Sequence, residues 1–495
     1  MPFGLKDNDY KLIKNVFHSI SKIEEVIVFG SRAMGTEKPG SDVDLALKGN
    51  DIKLDDIMKL KHKLEELPII YDFDVINYET INTPALIEHI DRHGILFYKK
   101  DTVPNEWKTY KFGDLAEQRK EQVVSNGIEQ PYIGLEHIEQ QTLRLNGIGC
   151  SNDVISNKFK FYAGDVLYGR LRPYFRKVFN PKFDGVCSTE IFVIKNKKII
   201  DKSYLYYLVA SEEFTNIANS GSSGTHMPRA DWRQLAKSEW NIPEDITAQT
   251  QIAQILTSLD DKIELNLQMN QTLEAMAKAI FKEWFVDFKF PGFDGVLVDG
   301  LPKGWRMGSV LEIATLLSGG TPKTDIPKYW NGNINWISAK DITNSNSQFV
   351  IETEKAITEL GISKSAAKLL PKYSTIISAR GTVGNYCILS KEMAISQSNY
   401  GLKSNLNNDY FLFLLVENMI EMMKAYSYGT VFNTITTKTF QEMEIVLPHE
   451  SVINKFEEQI KPLYSKILSN QYQIQTLTQT RDSLLPRLMS GKIKV

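Results

Sequence analysis

The sequence predicts an α/β multidomain protein. A small N-terminal α/β domain is followed by two α/β segments, which are separated by two long antiparallel coiled-coil helices. Three observations predict this plan. The chain has 495 residues, more than one ordinary hydrophobic core contains. Two stretches with heptad periodicity lie at a constant offset of 204 residues, and the first 100 residues carry a separate pattern of strands and turns.

The two heptad stretches predict the two long helices. Their seam residues step by four and three, as in helices that pack side by side. The first stretch comprises Ile252, Leu256, Leu259, Ile263, Asn266, Asn270, Leu273, Ala277, Ile280 and Trp284, and the second comprises Phe456, Ile460, Leu463, Ile467, Asn470, Ile474, Leu477, Arg481, Leu484 and Leu488. A buried Asn at such a seam fixes register, so the matched Asn266 and Asn470 indicate an aligned helix pair. The alternative is that both helices pack in one large core.

The segments before the two helices begin and end alike. Each opens with a Trp, a basic residue and a short apolar element, in "NEWKTYKFGDL" and "KGWRMGSVLEI". Each closes on a β-like run with Pro before the helix, in "WNIPED" and "IVLPHE". We therefore predict five parts: a small domain at 1–100, a first α/β segment at 105–248, a first helix at 249–288, a second segment at 303–448, and a second helix with a tail at 449–495.

The charge distribution bears on possible partners. The net charge is −2, and residues 107–242 and 303–447 lean only weakly basic, with 19 Lys and Arg against 15 Asp and Glu, and 14 against 12. A protein that gripped many phosphates alone would carry more positive charge. If the chain binds nucleic acid, we expect partner proteins to supply part of the positive charge that contacts the phosphates.

The sequence also predicts a cytoplasmic location. No apolar run approaches the length of a membrane span, so we expect no membrane partner, and the N-terminus lacks a signal-type segment. The three cysteines are scattered and odd in number, which fits a reducing compartment and argues against disulfides or a zinc site.

The N-terminal 100 residues carry a pattern suited to phosphate and metal chemistry. Residues 24–30 predict a buried strand that ends at Gly30, and Ser31 begins a helix whose first N–H groups can face a phosphate. Asp42 and Asp44 are spaced i and i+2 in a predicted strand, so their carboxylates share one face. Like charges so placed repel unless they hold a cation.

A further predicted strand, residues 69–77, offers Asp72 and Asp74, and one of them completes a cluster of three carboxylates. Three carboxylates beside a phosphate-binding turn are what two-metal nucleotidyl transfer requires. The alternative is a small α/β domain with aspartates on its surface.

The two-copy plan has a physical consequence for the rest of the chain. Two antiparallel helices act as a rigid spacer that holds two similar domains at opposite ends. Such a pair is suited to reading two half-sites on DNA. Because the two segments differ in sequence, the half-sites are expected to differ too.

Residues from about 105 to 495 resemble the specificity subunit of a type I restriction-modification enzyme, with two target-recognition domains and two spacer helices. The likeness lies in "FYAGDVLYGRLRPYFRKVFNPKFDGVCSTEIFVI", "GGTPKTDIPKYWNGNINWISAKDIT", "SARGTVG" and the ending "LTQTRDSLLPRLMSGKIKV". The resemblance implies a subunit that binds double-stranded DNA and has no catalytic activity of its own. It implies two methyltransferase subunits, which bring S-adenosylmethionine, and two restriction subunits, which use ATP and Mg²⁺.

Base readers are expected among polar side chains on loops of the two recognition domains, where glycines allow close approach. The candidates in the first domain are Arg170, Arg172, Tyr174, Ser222, Ser223, Thr225, His226 and Arg229, and those in the second are Arg380, Thr382, Gln397, Asn399, Tyr428, Thr430 and Asn433. For each of them a structural turn or a solvated loop is an equal alternative. Arg170 and Arg172 in particular lie in a pattern common to the family.

Residues 1–100 resemble the minimal nucleotidyltransferases of the polymerase-β-like superfamily, whose hallmark is Gly-Ser, a short spacer and Asp-x-Asp. The likeness implies that Gly30 and Ser31 hold the triphosphate of ATP or another nucleotide, and that Asp42, Asp44 and Asp74 bind Mg²⁺ and act in catalysis. Where the family often has a basic residue, this chain has Met34. Related domains serve as antitoxins that transfer AMP to a HEPN-type toxin, or modify small molecules.

Three functional readings stay open at this point. The first is a DNA-recognition subunit with a fused accessory transferase. The second is primarily a nucleotidyltransferase, protein-AMPylating and antitoxin-like, which a DNA-binding portion delivers to its target. The third is a scaffold whose N-terminal domain only binds nucleotide or partners, against which the intact Gly-Ser and Asp-x-Asp residues argue.

Overall fold

The computed structural model describes residues 2–18, 20, 22–38, 40–49, 51–100, 107–123, 129–221, 227–345, 347–426, 434–493 and 495. The chain divides into two compact units. We call residues 1–107 with 243–245 the N-terminal unit and residues 108–242 with 246–495 the C-terminal unit. Within the described ranges, no helix combines the length and the apolar character needed to cross a membrane.

The N-terminal unit is one mixed sheet with helices packed against it. Its helices are α1 Asp7–His18, α2 Gly30–Ala33, α3 Leu54–Glu65 and α4 Pro84–His93, and its strands are β1 Ile23–Phe29, β2 Val43–Gly49, β3 Phe73–Asn77 and β4 Ile95–Lys99. The strand order is β3-β2-β1-β4. Strands β2 and β3 are parallel and the other pairs are antiparallel. The central strands β1 and β2 supply apolar side chains to the core, and β1 is rich in the β-branched residues that favour strands.

The first segment of the C-terminal unit contains a five-stranded sheet, a four-stranded sheet and one two-stranded pair at its ends. Its strands are β5 Trp107–Lys111, β6 Ala116–Arg119, β7 Gln122–Val123, β8 Pro131–Ile133, β9 Gly149–Cys150, β10 Lys158–Phe161, β11 Val166–Gly169, β12 Val178–Phe179, β13 Gly185–Ser188, β14 Ile191–Asn196 and β15 Glu239–Pro243. Its helices are α5 Phe112–Leu115, α6 Lys202–Ala210, α7 Glu212–Ser220 and α8 Trp232–Leu235. The sheet orders are β7-β10-β13-β8-β9 and β12-β11-β14-β6.

The second segment repeats this design with different strand lengths. Its strands are β16 Leu297–Val298, β17 Leu301–Pro302, β18 Arg306–Ser309, β19 Ala314–Ser318, β20 Trp330–Ile337, β21 Phe349–Val350, β22 Lys355–Ile357, β23 Leu369–Leu370, β24 Thr375–Ser378, β25 Tyr386–Leu389, β26 Met393–Ile395, β27 Asn399–Ser404 and β28 Glu444–Leu447. Between the two long helices, α9 Ile246–Phe281 and α14 Glu450–Met489, its helices are α10 Ala339–Asn344, α11 Glu359–Ser363, α12 Asp409–Tyr426 and α13 Thr437–Glu442. The sheet orders are β19-β27-β24-β25-β21 and β22-β20-β26-β23.

Helices α9 and α14 pack against each other in antiparallel orientation. Asp260 contacts Arg481 near one end of the pair, and Trp284 contacts Phe456 near the other. The burial of the seam repeats between the helices: at all ten matched positions, both residues are buried or both are half-buried. The predicted α/β architecture with two long coiled-coil helices is therefore confirmed.

Asn266 and Asn470, which match in sequence position, each contact a different residue of the facing helix. Nδ2 of Asn470 donates to Oδ1 of Asn270 at 2.9 Å, and Nδ2 of Asn266 lies 3.3 Å from Oε1 of Gln473. Asn266 and Asn470 occupy equivalent places on helices that run in opposite directions. Equivalent residues of such a pair meet only at the central crossing, and these two lie just to either side of it.

Each segment docks on the helix pair through half-buried polar contacts. In the first segment, the Tyr207 hydroxyl of α6 donates to Oδ2 of Asp260 at 2.7 Å. In the second, the Glu457 carboxylate on α14 accepts from the backbone N–H groups of Tyr410 and Phe411, at 3.2 and 2.9 Å, and so caps the first turn of α12. Because these hydrogen bonds are directional and partly shielded from water, they favour one orientation of each segment on the spacer.

Candidate functional site

The turn after β1 brings the backbone against a carboxylate. Gly30 has φ +72°, a conformation that favours glycine, and a Cβ at this position would collide with Oδ2 of Asp44. Ser31 follows in α2, which is only four residues long. The sequence explains this arrangement: β1 ends at Phe29, which pairs with Asp44 on β2, so the glycine is the residue that must pass over that side chain.

The pairing of β2 with β3 brings together two of the predicted carboxylates. Asp44 is the direct neighbour of Asp74 in the parallel register. Burial raises the pKa of the Asp44 carboxyl, and the negative charges of Asp74 and Asp42 raise it further. The three aspartates therefore lie near one another, with Asp44 half-buried between two exposed partners.

The three carboxylates do not converge as a ligand set in this structure. Among the described residues, no three His, Cys, Asp or Glu side chains are arranged to hold a metal ion. Nζ of Lys61 on α3 lies 3.3 Å from Oδ1 of Asp74, so an ammonium group offsets part of the negative charge. The residue types still fit Mg²⁺, which keeps several waters and is usually bound by one or two carboxylates together with the phosphates of a substrate. Metal binding by Asp42, Asp44 and Asp74 stays a prediction.

Arg32 is a residue of this site that the sequence analysis missed. Its buried guanidinium donates to the carbonyls of Ser41, at 2.6 Å from Nη2, and of Asp42, at 3.1 Å from Nε. It also donates to the carbonyl of Phe3 at 3.0 Å and lies over the ring of Tyr71. Arg32 therefore holds the backbone that leads into Asp42. The signal in the sequence was a charged residue one place after Gly-Ser, at the start of a helix that packs on the sheet.

In the first recognition segment, two predicted stretches lie side by side. The backbone of Arg172 donates to Pro228 at 2.7 Å, and that of Ala230 donates to Arg170 at 2.9 Å. Arg229 is thereby placed beside Arg170, and both face the carboxylate of Glu190. The structure thus brings together two candidates that lie 59 positions apart in the chain.

The other candidates of the first segment have mixed positions. Arg172 and Tyr174 are exposed, and Arg172 has φ +51° at the start of a tight turn. The Tyr174 ring packs edge-on against Phe175. Four further candidates lie outside the described residues, as does their neighbour in the same loop: Ser222, Ser223, Thr225 and His226 with Gly224.

In the second segment, the structure separates the candidates. Arg380 and Thr382 are exposed in the turn after β24, where the Thr382 hydroxyl lies 2.7 Å from that of Thr343. Gln397 is exposed as well. The prediction for Asn399 is wrong: its side chain is buried and its Nδ2 donates to the Ile337 carbonyl at 3.1 Å.

The reason for the error at Asn399 is its place in the sheet. Asn399 is the first residue of β27, and its amide joins β27 to the end of β20, so it cannot face a base. Three candidates of this segment lie outside the described residues: Tyr428, Thr430 and Asn433.

Two family models match this chain. A family model described as "Type I restriction modification DNA specificity domain" matches residues 104–275 and 302–481. A model described as "Polymerase beta, Nucleotidyltransferase" matches residues 11–103. The specificity subunit of type I restriction enzyme HindI from Haemophilus influenzae is 28% identical, and the match covers 79% of this chain and 100% of that protein.

Two further proteins place the likeness in the same region. The specificity subunit of type I restriction enzyme MjaIX from Methanocaldococcus jannaschii is 28% identical over 59% of this chain and 69% of its own length. The crystal structure of the type I restriction-modification S subunit from M. genitalium is similar in fold, with a TM-score of 0.51 and 14% identity over 79% of this chain and 97% of that one. The chain therefore belongs to the family of type I restriction-modification DNA specificity subunits, and it carries an N-terminal nucleotidyltransferase domain.

Proposed function

We propose that the chain reads an asymmetric, two-part DNA target. The observation that carries this proposal is the antiparallel pair α9 and α14, whose seam burial repeats at every matched position. The pair presents two similar domains with opposite polarity at a fixed separation, which is the geometry that two half-sites require. Different loops in the two domains make the half-sites different.

The same proposal includes docking of two methyltransferase and two restriction subunits. These subunits bring S-adenosylmethionine and ATP to the complex. The modest charge of the chain supports shared DNA binding, because a net charge of −2 provides little attraction for a polyanion. Membership of the specificity family supports the same assembly.

The test is the methylation pattern of the host genome. We expect wild-type cells to carry methyl-adenine at a two-part sequence with an unspecified central spacer, and cells without the gene to lose that mark. A variant chain can carry two changes in the turn after β24, Arg380→Ala and Thr382→Ala. Cells that express it should keep one half of the methylated DNA sequence and relax the other half. An unchanged set of two-part marks after deletion would refute the proposal.

For the N-terminal unit, we propose Mg²⁺-dependent transfer of a nucleotide from ATP, or from another nucleoside triphosphate, to a hydroxyl of an acceptor protein such as a HEPN-type toxin. What supports it is the contact between Gly30 and Asp44 together with the register that joins Asp44 to Asp74. Bound Mg²⁺ would neutralise the triphosphate and would be held by Asp42 and Asp44.

The residues of this chain have separate tasks in the proposed transfer. The turn at Gly30 and Ser31 positions the triphosphate beside Asp44. Asp74 accepts the proton of the attacking hydroxyl once its carboxylate leaves Lys61. The hydroxyl oxygen would bond to the α-phosphorus, the bond between the α- and β-phosphates would break, and pyrophosphate would leave. Burial, and then the negative charges of Asp74 and Asp42, raise the pKa of the Asp44 carboxyl, and a bound cation would offset the repulsion among the three carboxylates.

This proposal is tested by incubating the purified chain with labelled ATP and Mg²⁺ in host lysate. The double variant Asp42→Asn/Asp44→Asn should give no labelled band. The matched control is Asp51→Asn, which makes the same kind of change at an exposed aspartate that pairs with Lys53. A band of equal intensity in the double variant would refute the assignment, and mass spectrometry of a wild-type band would identify the acceptor.

A further inference from the structure

Three charged side chains of the first recognition segment form one cluster at its surface. Nε and Nη2 of Arg229 both donate to the Glu190 carboxylate, at 3.0 to 3.2 Å. Nε of Arg170 lies 3.8 Å from the same carboxylate, and its guanidinium stacks over the Phe192 ring. All three residues are half-exposed, so the cluster is accessible from solvent.

The geometry of Arg229 leaves the end of its guanidinium available. Glu190 occupies the edge formed by Nε and Nη2, while among the described residues Nη1 makes one long contact, of 3.5 Å, with the Met227 carbonyl. The remaining N–H groups of Nη1 and Nη2 form a planar fork. That fork matches O6 and N7 of guanine in the major groove, the commonest specific contact of arginine with DNA.

The cluster is not needed to build the turn in which it lies. The second segment makes the same backbone bonds: Ala379 donates to Ser398 as Arg170 donates to Glu190, and Ile435 donates to Ala379 as Ala230 donates to Arg170. At these matched places the second segment has no charged residue, because Ala379, Ser398 and Thr434 replace Arg170, Glu190 and Arg229. The turn therefore forms without the ion pairs. The three charged residues distinguish the first domain from the second and are not required for the turn.

We propose that Glu190 is a positioning residue that holds Arg229 for bidentate recognition of a guanine in the half-site of the first domain. The inference rests on the proposed reading of a two-part target. Glu190 lowers the entropy that Arg229 loses on binding, because the guanidinium is already held in one orientation. Its negative charge also disfavours other placements on DNA, since it repels phosphate where no guanine engages the arginine.

The experiment uses the full chain expressed with its methyltransferase partner, and reads the modified sequences as methyl-adenine in the host genome. The variants are Glu190→Gln and Arg229→Lys. The control is Arg233→Ala, which removes an exposed arginine of the same segment that is paired with Asp231. Glutamine keeps the shape of Glu190 but lacks the charge and the second acceptor oxygen that hold the fork.

We expect Glu190→Gln and Arg229→Lys to relax the same G·C position of one half-site, with discrimination against the other base pairs reduced about tenfold. The other half-site should stay unchanged in the same cells, which shows that the variant chain is folded. Arg233→Ala should give the wild-type sequence.

Two results would overturn the inference while leaving the two-part target intact: a wild-type sequence in Glu190→Gln, or relaxation at a position that is not G·C. A structural role alone would lower the amount of modification without changing its sequence, and that result would also overturn it. If the wild-type chain yields no two-part mark, the proposed function itself fails.

Discussion

The buried charge cluster where the first segment meets the helix pair offers the sharpest test of the packing. The Arg481 side chain is 1% exposed, and its Nη1 lies 2.7 Å from Oδ1 of Asp260. Its Nη2 lies 2.9 Å from Oδ1 of Asp482. The same Asp260 accepts the Tyr207 hydroxyl, and burial together with the charge of Arg481 lowers the pKa of the neighbouring Arg144. Asp260 thus contacts both the buried Arg481 and the Tyr207 hydroxyl, and its negative charge also acts on Arg144.

We expect Asp260→Ala to destabilise the C-terminal unit by about 3–5 kcal/mol. This magnitude is that of a buried ion pair that loses one partner, because Arg481 would stay buried with a weaker counter-charge. The Tyr207 hydroxyl would lose its acceptor in the same variant. Asp482→Ala removes an equal charge from the same arginine, but the Asp482 side chain is 43% exposed against 23% for Asp260. Its cost should be lower, about 1–3 kcal/mol, because Arg481 would keep Asp260 but lose the acceptor of its Nε and Nη2 groups.

The assay is urea unfolding of the full chain followed by circular dichroism, with the midpoint and slope of the transition measured for each variant. Asp260→Asn should fall between the two alanine variants, because its amide oxygen still accepts from Tyr207. Equal costs for Asp260→Ala and Asp482→Ala would refute the reasoning from burial. A cost below about 1 kcal/mol for Asp260→Ala would refute the assignment of a desolvated pair.

Three further predictions follow from single contacts. Gly30→Ala puts a Cβ against Asp44 at positive φ, so thermal unfolding should show a loss of about 1–2 kcal/mol in the stability of the N-terminal unit. Labelling by the nucleotide should vanish, and labelling at the wild-type level would contradict this prediction. Asn470→Ala leaves the buried Asn270 oxygen without its donor and should cost about 1–3 kcal/mol in urea, whereas the double change to Leu should recover most of it. Burial raises the pKa of Glu457 to about 7, so the folded chain binds this proton more tightly than the unfolded chain does. The free energy of unfolding should therefore fall as the pH rises from 5 to 8, and Glu457→Gln should flatten that dependence. An equal slope in both proteins would count against this prediction.

Much of the architecture followed from periodicity and composition. The heptads predicted two long helices because a seam repeats locally along one helix, whatever the partner. The constant offset predicted two similar units, and the Gly-Ser pair predicted the turn at which the first strand of the N-terminal unit ends. These features are encoded within a few neighbouring residues, so the sequence alone determined them.

The tertiary structure decided which groups meet. Arg481 stood at a seam position where a heptad expects an apolar residue, and only the antiparallel partner explains it by supplying Asp260. Asn399 had a polar side chain in a loop-like stretch, yet the pairing of β27 buries it against Ile337.

The same holds for the charged groups of the two candidate sites. Glu190 meets Arg229 across 39 positions, and Lys61 meets Asp74 because α3 packs beside β3. Contacts of this kind depend on how distant segments of the chain pack against each other. Local patterns of polarity carry no information about such packing, so only the folded chain reveals them.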